Sequence, residues 1–369
     1  MNIAIESHVL NHHRRSGLMT YTEGLVNGMY KHDEENNYSL LYYSLTRHAS
    51  TMPGPSGEHM KKAVLRVPDN EFALRQWYVD NIALPLYFKV NNTRIFHRTC
   101  GYTMPSTKSV FRVLTVHDLR TLTIKDNVWA QNIEDYKKTI NGLDACVVVS
   151  ECTKRDLIEH LGIKEDKIKV IYLGADSRFK PAFAQDIDDV RNKYNLKEPF
   201  LLSIGSVPRK NIAGIIRGYA GSQITKDFQL VLSCNFDVDK YRALAKELGV
   251  EHRLVILDKL TDQDVVSLFS ACHAFVFPSL YEGFGLPILE AFQCGAPVIT
   301  SNLSSCPEVA GDAAILVDPN NTGEISSAIN QMCTNLALRT SLVQKGFERA
   351  KLFNWDQYAL SMKKVYANA

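Results

Sequence analysis

Short apolar runs recur along the chain at intervals long enough to hold a helix between them. "MNIAIES" opens the series, and "YSLLYYS", "TRIFHR", "FRVLTVHD" and "ACVVVS" continue it. The stretches between them have helical length and pattern: "LMTYTEGLVNGMY" after Gly17, "EFALRQWYVDNIALPLYFKV", and "NIEDYKKTINGL". Strands separated by such segments return by right-handed crossovers, so the series predicts a parallel sheet.

The series then restarts. "PFLLSIGS", "FQLVLSC", "RLVILDK", "HAFVFPS", "APVITS" and "AAILVD" alternate with helical segments such as "KYRALAKELGV" and "DVVSLFSA", which predicts a second open parallel sheet. The intervening "IYLGADSRFKPAFAQDIDD" lacks a clear period and contains Gly174 and Pro181, so the linker is expected near residues 174 to 190. "TMPGPSGEHMKK", residues 51 to 62, is dense in proline and glycine and reads as a loop of the first domain. The aromatic stretch "RQWYVDNIALPLYFKV" has helical spacing and is expected to be core.

Length agrees with two domains, because a single core rarely grows beyond roughly 250 to 300 residues and the chain has 369. No segment approaches the roughly 20 apolar residues of a membrane span, and the apolar part of "MNIAIESHVLNHHRR" is too short for a secretory signal, so a cytoplasmic protein is expected. Eight cysteines form no C-x-x-C pair and several lie in apolar runs, which reads as reduced, buried thiols. The histidines make no pattern of a zinc site. A net charge of +2 argues against nucleic acid as partner. Through residue 180 there are 24 Lys and Arg against 20 Asp and Glu; the excess suits a solvated surface and allows weak peripheral membrane contact.

The candidate chemistry lies at strand ends, where open parallel sheets bind ligands. In "FPSLYEGFGLPILEAFQCG" a strand ends before Glu282, and a helix follows with Pro287 at its start and Gly295 past its end. The turn through Gly283 and Gly285 offers bare backbone N–H groups at a helix N-terminus, a place for a diphosphate. Glu290, one turn into the helix, can accept from a pair of ribose hydroxyls, and Glu282 from another polyol. A Gly-x-Gly turn with a glutamate that merely complements the helix dipole is the plainer alternative. In "LLSIGSVPRKNIAGIIRGYA", Gly205 and Ser206 follow a strand, and Arg209 and Lys210 could clamp a diphosphate or simply be a solvated pair.

"EGFGLPILE" has the E-x7-E pattern of the retaining glycosyltransferases called group 1, or family 4, and "GSVPRKN", "SNLSSCPEVAGDAAILVDP" and "VVVSECTKRDLIEHLGI" also resemble their counterparts in that family. The resemblance implies the GT-B fold: two facing Rossmann-like α/β domains with parallel sheets and an interdomain cleft. It implies an acceptor-side domain over residues 1–177, a nucleotide-sugar domain over 178–350, and a terminal helix over 351–369 crossing back onto the first. Glu290 would bind the donor ribose. Glu282 and the backbone of Gly283, Phe284, Gly285 and Leu286 would face the donor sugar and diphosphate, Arg209 and Lys210 would bind that diphosphate, and Gly205 and Ser206 would line the pocket. His117 in "LTVHDL" matches the histidine beside the reacting bond, with Asp118 orienting its loop. Gly17 matches a glycine-rich loop, although "RRSGLM" has one glycine where many members have two, which leaves the part of Arg14 and Arg15 open.

The implied reaction is retaining transfer of a hexose from a nucleotide-diphosphate sugar, such as GDP-mannose or UDP-glucose, to a hydroxyl of a saccharide or lipid-linked saccharide in cell-surface polysaccharide synthesis. No cofactor and no metal is expected. "DID" at 186–188 and "DVD" at 237–239 imitate a metal signature but fall where helices begin, which suits capping. The alternatives are an epimerase or synthase of the same fold and a non-catalytic nucleotide-binding module. A lipid-linked acceptor would place the chain at the inner face of a membrane.

Overall fold

The computed structural model describes residues 1–12, 16–68, 72–101, 103–119 and 133–369, with Phe72 described in its backbone alone. The chain divides into two compact units. One comprises Met1–Gly174 with Asn354–Ala369, the other Ala175–Phe353.

The first unit is built on strands β1 (Asn2–Glu6), β2 (Asn37–Tyr43), β3 (Met60–Leu65), β4 (Ile95–Arg98), β5 (Phe111–Val116), β6 (Ala145–Val148) and β7 (Ile168–Val170). They form one sheet in the order β3-β2-β1-β4-β5-β6-β7, parallel throughout. Strand order reverses at β1 and β4, whose register pairs Ile3 with Ile95. Loops leaving these two strands diverge, which opens a crevice at their carboxyl ends. Inner strands such as β4 and β6 are buried along their whole length, the continuous apolar run expected of a sheet covered on both faces.

The second unit repeats the plan with β8 (Phe200–Ile204), β9 (Gln229–Ser233), β10 (Leu254–Leu257), β11 (Ala274–Phe277), β12 (Val298–Ser301) and β13 (Ala314–Val317), in the order β10-β9-β8-β11-β12-β13. Here the reversal falls between β8 and β11, so the loops carrying Arg209 and Glu282 leave neighbouring strands. Both units are parallel-sheet α/β domains, the fold class expected from the sequence.

The terminal helix, Trp355–Tyr366, lies in the first unit against the helix Gly17–His32. Gly24 and Gly174 make this contact close: a Cβ at Gly24 would fall inside the Trp355 indole, and one at Gly174 would meet the Trp355 backbone. Asp356 then pairs with Lys31 at 3.0 Å and His32 at 2.7 Å.

Several expectations need correction. Residues 51–62 are not loop throughout, because β3 starts at Met60 and pairs with β2 along the sheet edge. The stretch 174–190 is not all linker: the helix Ala184–Lys193 begins inside it and buries Val190. The segment 72–90 is not one regular helix but two, Phe72–Tyr78 and Leu84–Val90, joined by a π turn at Val79–Ala83. Pro85 has no N–H for the carbonyl four residues earlier, which favours such an irregular turn. Nor is the segment simply core, since Leu74, Trp77, Ile82, Leu86 and Val90 are exposed.

Neither D-x-D segment caps a helix with its side chain. Asp237 occupies an N-cap position in a left-handed conformation, φ 54°, without a side-chain cap bond, and the N-cap before Asp186 is Phe183.

Candidate active site

In the second unit the chain leaves β8 through Gly205, whose φ is +155°; a Cβ there would lie 2.5 Å from Lys210 Cγ, so only glycine leaves room for the lysine stem. One 3₁₀ turn, Pro208–Lys210, presents Arg209 and Lys210. Asn211, left-handed at φ 60°, closes that turn, opens the helix Ile212–Ala220, and donates its amide to the carbonyls of Pro278 and Pro319.

Both cations converge on Glu282, just beyond β11. Arg209 Nη1 lies 2.6 Å from Glu282 Oε2, Lys210 Nζ lies 2.6 Å from Oε1, and Ser279 Oγ donates to the same Oε1 at 2.6 Å. Glu282 is 5% exposed. Burial alone would push its carboxyl up, but the charges of Lys210 and Arg209, with hydrogen bonds from Lys210 and Ser279, hold it below the usual carboxylate range. Burial drives the Lys210 ammonium down, Arg209 adds to that, and Glu282 opposes it. Glu282 is therefore a buried counter-ion for the two cations, a pairing invisible when the two motifs are read separately. Arg209 Nε is buried and has no hydrogen-bond partner among the described residues, which leaves one donor of the guanidinium unsatisfied.

The turn after Glu282 is fastened from a third strand end. Ser304 Oγ accepts from the Glu282 backbone N–H at 3.0 Å, and Ser305 Oγ donates to the carbonyls of Glu282 and Phe284. Gly285, at φ +106°, is the N-cap of the helix Leu286–Gln293, without a side-chain cap. Pro287 sits one residue inside this helix rather than first, and Glu290 lies half-buried one turn in. Gly283 and Leu286 are partly exposed, whereas Phe284 is buried. Ser206 Oγ accepts from the Asn235 backbone, tying the ends of β8 and β9.

In the first unit His117 follows β5. Its Nε2 lies 2.8 Å from the carbonyl oxygen of Thr99, which can only accept, so Nε2 carries the proton and Nδ1 keeps its lone pair. Burial lowers the His117 pKa, against the opposing pull of Thr99 and Asp118, which keeps the ring neutral near pH 7. Thr153, at the start of the helix Glu151–Leu161, donates to the His117 carbonyl. Gly17 is the first residue of its helix, and a Cβ there would meet nothing within 4 Å. Arg14 and Arg15 lie outside the described residues.

Beneath His117 runs a buried polar chain that sequence reading missed. Tyr366 Oη meets His97 Nδ1 at 2.6 Å, and His97 Nε2 meets Thr115 Oγ1 at 2.8 Å. Thr115 Oγ1 meets Tyr21 Oη at 2.7 Å, and Tyr358 donates to Tyr21 at 2.9 Å. A second group lies at the β1–β4 crevice: buried Arg98 pairs with Asp80 at 2.6 Å and Glu6 at 3.3 Å, and Tyr43 donates to Glu6. Nothing local in the sequence signals either group, because their partners come from distant strands and helices.

Residues 185–349 match the family described as glycosyl transferases group 1, and residues 61–179 match glycosyltransferase family 4. The chain is similar to O-antigen chain mannosyltransferase B of Escherichia coli, 32% identical over 254 residues that cover 66% of this chain and 67% of the other. It is also 26% identical over 355 residues to the serotype-specific mannosyltransferase WbdA of Escherichia coli, covering 91% of this chain but 43% of that longer protein. Among solved structures, sucrose-phosphate synthase from Thermosynechococcus elongatus superposes with a TM-score of 0.79 at 21% identity, covering 100% of this chain and 98% of that one; it shares the GT-B fold.

Proposed function

The chain belongs to the group 1 glycosyltransferases, and from that premise we propose that it transfers a mannosyl residue from a nucleotide-diphosphate sugar to a saccharide hydroxyl during cell-surface polysaccharide synthesis, with retention of configuration and without a metal ion. The names of its relatives favour mannose. One observation of the structure carries the donor half of the reading. Two cations, held at 2.6 Å on a single buried carboxylate, stand at the carboxyl ends of β8 and β11 with an unused guanidinium N–H. One carboxylate leaves this trio a net positive charge, and a diphosphate supplies the anion it lacks.

In this reading the bond from the anomeric carbon to the diphosphate oxygen breaks while the acceptor oxygen bonds to the same carbon from the same face. The acceptor proton passes to the departing phosphate oxygen. Negative charge grows on the diphosphate, and Arg209, Lys210 and the N-terminus of Leu286–Gln293 stabilise it. Gly205, Ser206, Gly283, Phe284, Gly285 and Leu286 line the donor pocket, and Glu290 takes the ribose hydroxyls. Glu282 holds the two cations in place. His117, neutral and with Nδ1 free to accept, receives a hydroxyl of the transferred sugar.

Incubation with GDP-mannose, an oligosaccharide acceptor and a chelator tests this. A mannosylated product with the donor's anomeric configuration, formed at an unchanged rate in chelator, is the expected result. Inversion, or loss of activity in chelator, would overturn the mechanism. Glu290→Ala should weaken nucleotide binding, and His117→Ala should slow transfer at unchanged nucleotide affinity.

A further inference from the structure

Five apolar side chains along the segment Phe72–Val90 face solvent: Leu74 (56% exposed), Trp77 (56%), Ile82 (42%), Leu86 (61%) and Val90 (71%). They are three, five, four and four residues apart. In an unbroken α-helix the five-residue step would turn Ile82 about 140° away from Trp77 and carry the last three off the face of the first two. The π turn at Val79–Ala83 absorbs one residue and returns all five to one face. On the opposite face Val79, Leu84 and Phe88 pack with Leu41 and Phe96, and buried Asp80 is bound to Arg98. The stripe is thus displayed by a segment anchored firmly in the unit.

Within residues 72–90 its exposed charge is positive, although Asp69 and Glu71 precede it in the chain. Asp80, the single carboxylate within residues 72–90, is buried and paired, while Lys89 is exposed. At the start of the segment Arg75 donates to the Tyr43 carbonyl, and Arg66 donates to the carbonyls of exposed Leu45 and of Arg47, which holds two guanidinium groups along the loop that carries Leu45. No helix among the described residues is long and apolar enough to cross a membrane. An apolar face containing a tryptophan and flanked by cations is the chemistry of a helix lying in the interface of an anionic bilayer. A second copy fits poorly, because a two-fold contact would set these cations against themselves.

We propose that this stripe docks the protein peripherally on an anionic lipid surface, with the side chains of Leu74, Trp77, Ile82, Leu86 and Val90 entering the acyl boundary. Docking needs neither donor nor acceptor, so its test stands apart from that of the transfer reaction.

The full chain is sedimented with phosphatidylcholine vesicles, with and without phosphatidylglycerol, at low and high salt. Preferential binding to the anionic vesicles, weakened by salt and accompanied by a blue shift in tryptophan emission, is expected. The double variant Leu74→Glu/Leu86→Glu should lose at least about tenfold in partitioning while keeping the parent's melting temperature and its activity on a water-soluble acceptor. A parent that stays in the supernatant with anionic vesicles at low salt overturns the proposal, as does a double variant that binds like the parent. A parent that is dimeric in ultracentrifugation, is dispersed by Leu86→Glu and binds no vesicles assigns the stripe to a second copy instead.

Discussion

Tyr21 meets His117 edge-on, with ring centroids 4.5 Å apart and planes at 81°. The hydroxyl of the same tyrosine lies between Thr115 and Tyr358. One residue of the helix Gly17–His32 therefore touches the site histidine with its ring and the terminal helix with its oxygen. This makes the end of β5 and the last helix of the chain parts of one packed arrangement.

Ring and hydroxyl can be separated by mutation. Tyr21→Phe keeps the edge contact but removes a partner from both Thr115 and Tyr358, and leaving such buried groups short of a bond costs about 1–3 kcal/mol. The expected result is a lower melting temperature with kcat near that of the parent. Tyr21→Leu also removes the ring beside His117, so kcat should fall while KM for the donor holds. Equal losses of kcat in the two variants would show that the ring does not position the histidine.

His97 predicts an acid limit to stability. It is fully buried between Tyr366 and Thr115, and burial pushes its pKa down from 6.5 to about 3, with the neighbouring His117 contributing. Below pH 6.5 the unfolded chain binds a proton that the folded chain refuses, so stability falls as pH falls. The loss amounts to about 2 kcal/mol by about pH 5, at 1.36 kcal/mol per unit. Urea midpoints taken from pH 7 downward should show this slope in the parent and a shallower one in His97→Gln.

How much of this was legible depends on where each signal lies in the chain. Strands buried on both faces, such as "VITS" and "AFVF", announce themselves as apolar runs, and the strand ends bearing Arg209, Glu282 and His117 follow from them. The edge strands β3 and β7 carry exposed lysines, Lys61 and Lys169, which break the run and hide the strand. Partnerships were illegible for another reason. His97 finds Tyr366 269 residues away and Lys210 finds Glu282 72 residues away, so no local pattern constrains either pair. The exposed face of Phe72–Val90 was misread because periodicity reveals an apolar stripe without saying which side of it meets the core, and the π turn shifts its phase.

Gly24 predicts a packing cycle. Gly24→Ala drives a methyl into the Trp355 indole, an overpacking that costs about 1–3 kcal/mol. In a Trp355→Ala background the clash is gone, and the same change should be neutral or stabilising by up to about 1 kcal/mol, because alanine is the better helix former. Thermal melts of the four proteins measure the coupling. A Gly24→Ala penalty that persists without the tryptophan would place the conflict elsewhere.

Glu282 predicts opposite effects with and without ligand. Glu282→Gln keeps the shape but strips the counter-charge from Arg209 and Lys210, both bound to it at 2.6 Å. Breaking a buried pair from one side leaves an uncompensated charge and costs about 3–5 kcal/mol. The variant should melt well below the parent in plain buffer. The same two cations then no longer share a carboxylate, so an incoming diphosphate meets a stronger positive field and relieves a larger penalty. Scanning fluorimetry with UDP and GDP should therefore show a larger nucleotide-induced rise in melting temperature for Glu282→Gln than for the parent. Lys210→Met, which removes a cation and unbalances the trio the other way, should show a smaller rise. If the nucleotide shift in Glu282→Gln is equal to or below the parent's, the diphosphate does not bind at Arg209 and Lys210, and the donor site assigned here is wrong.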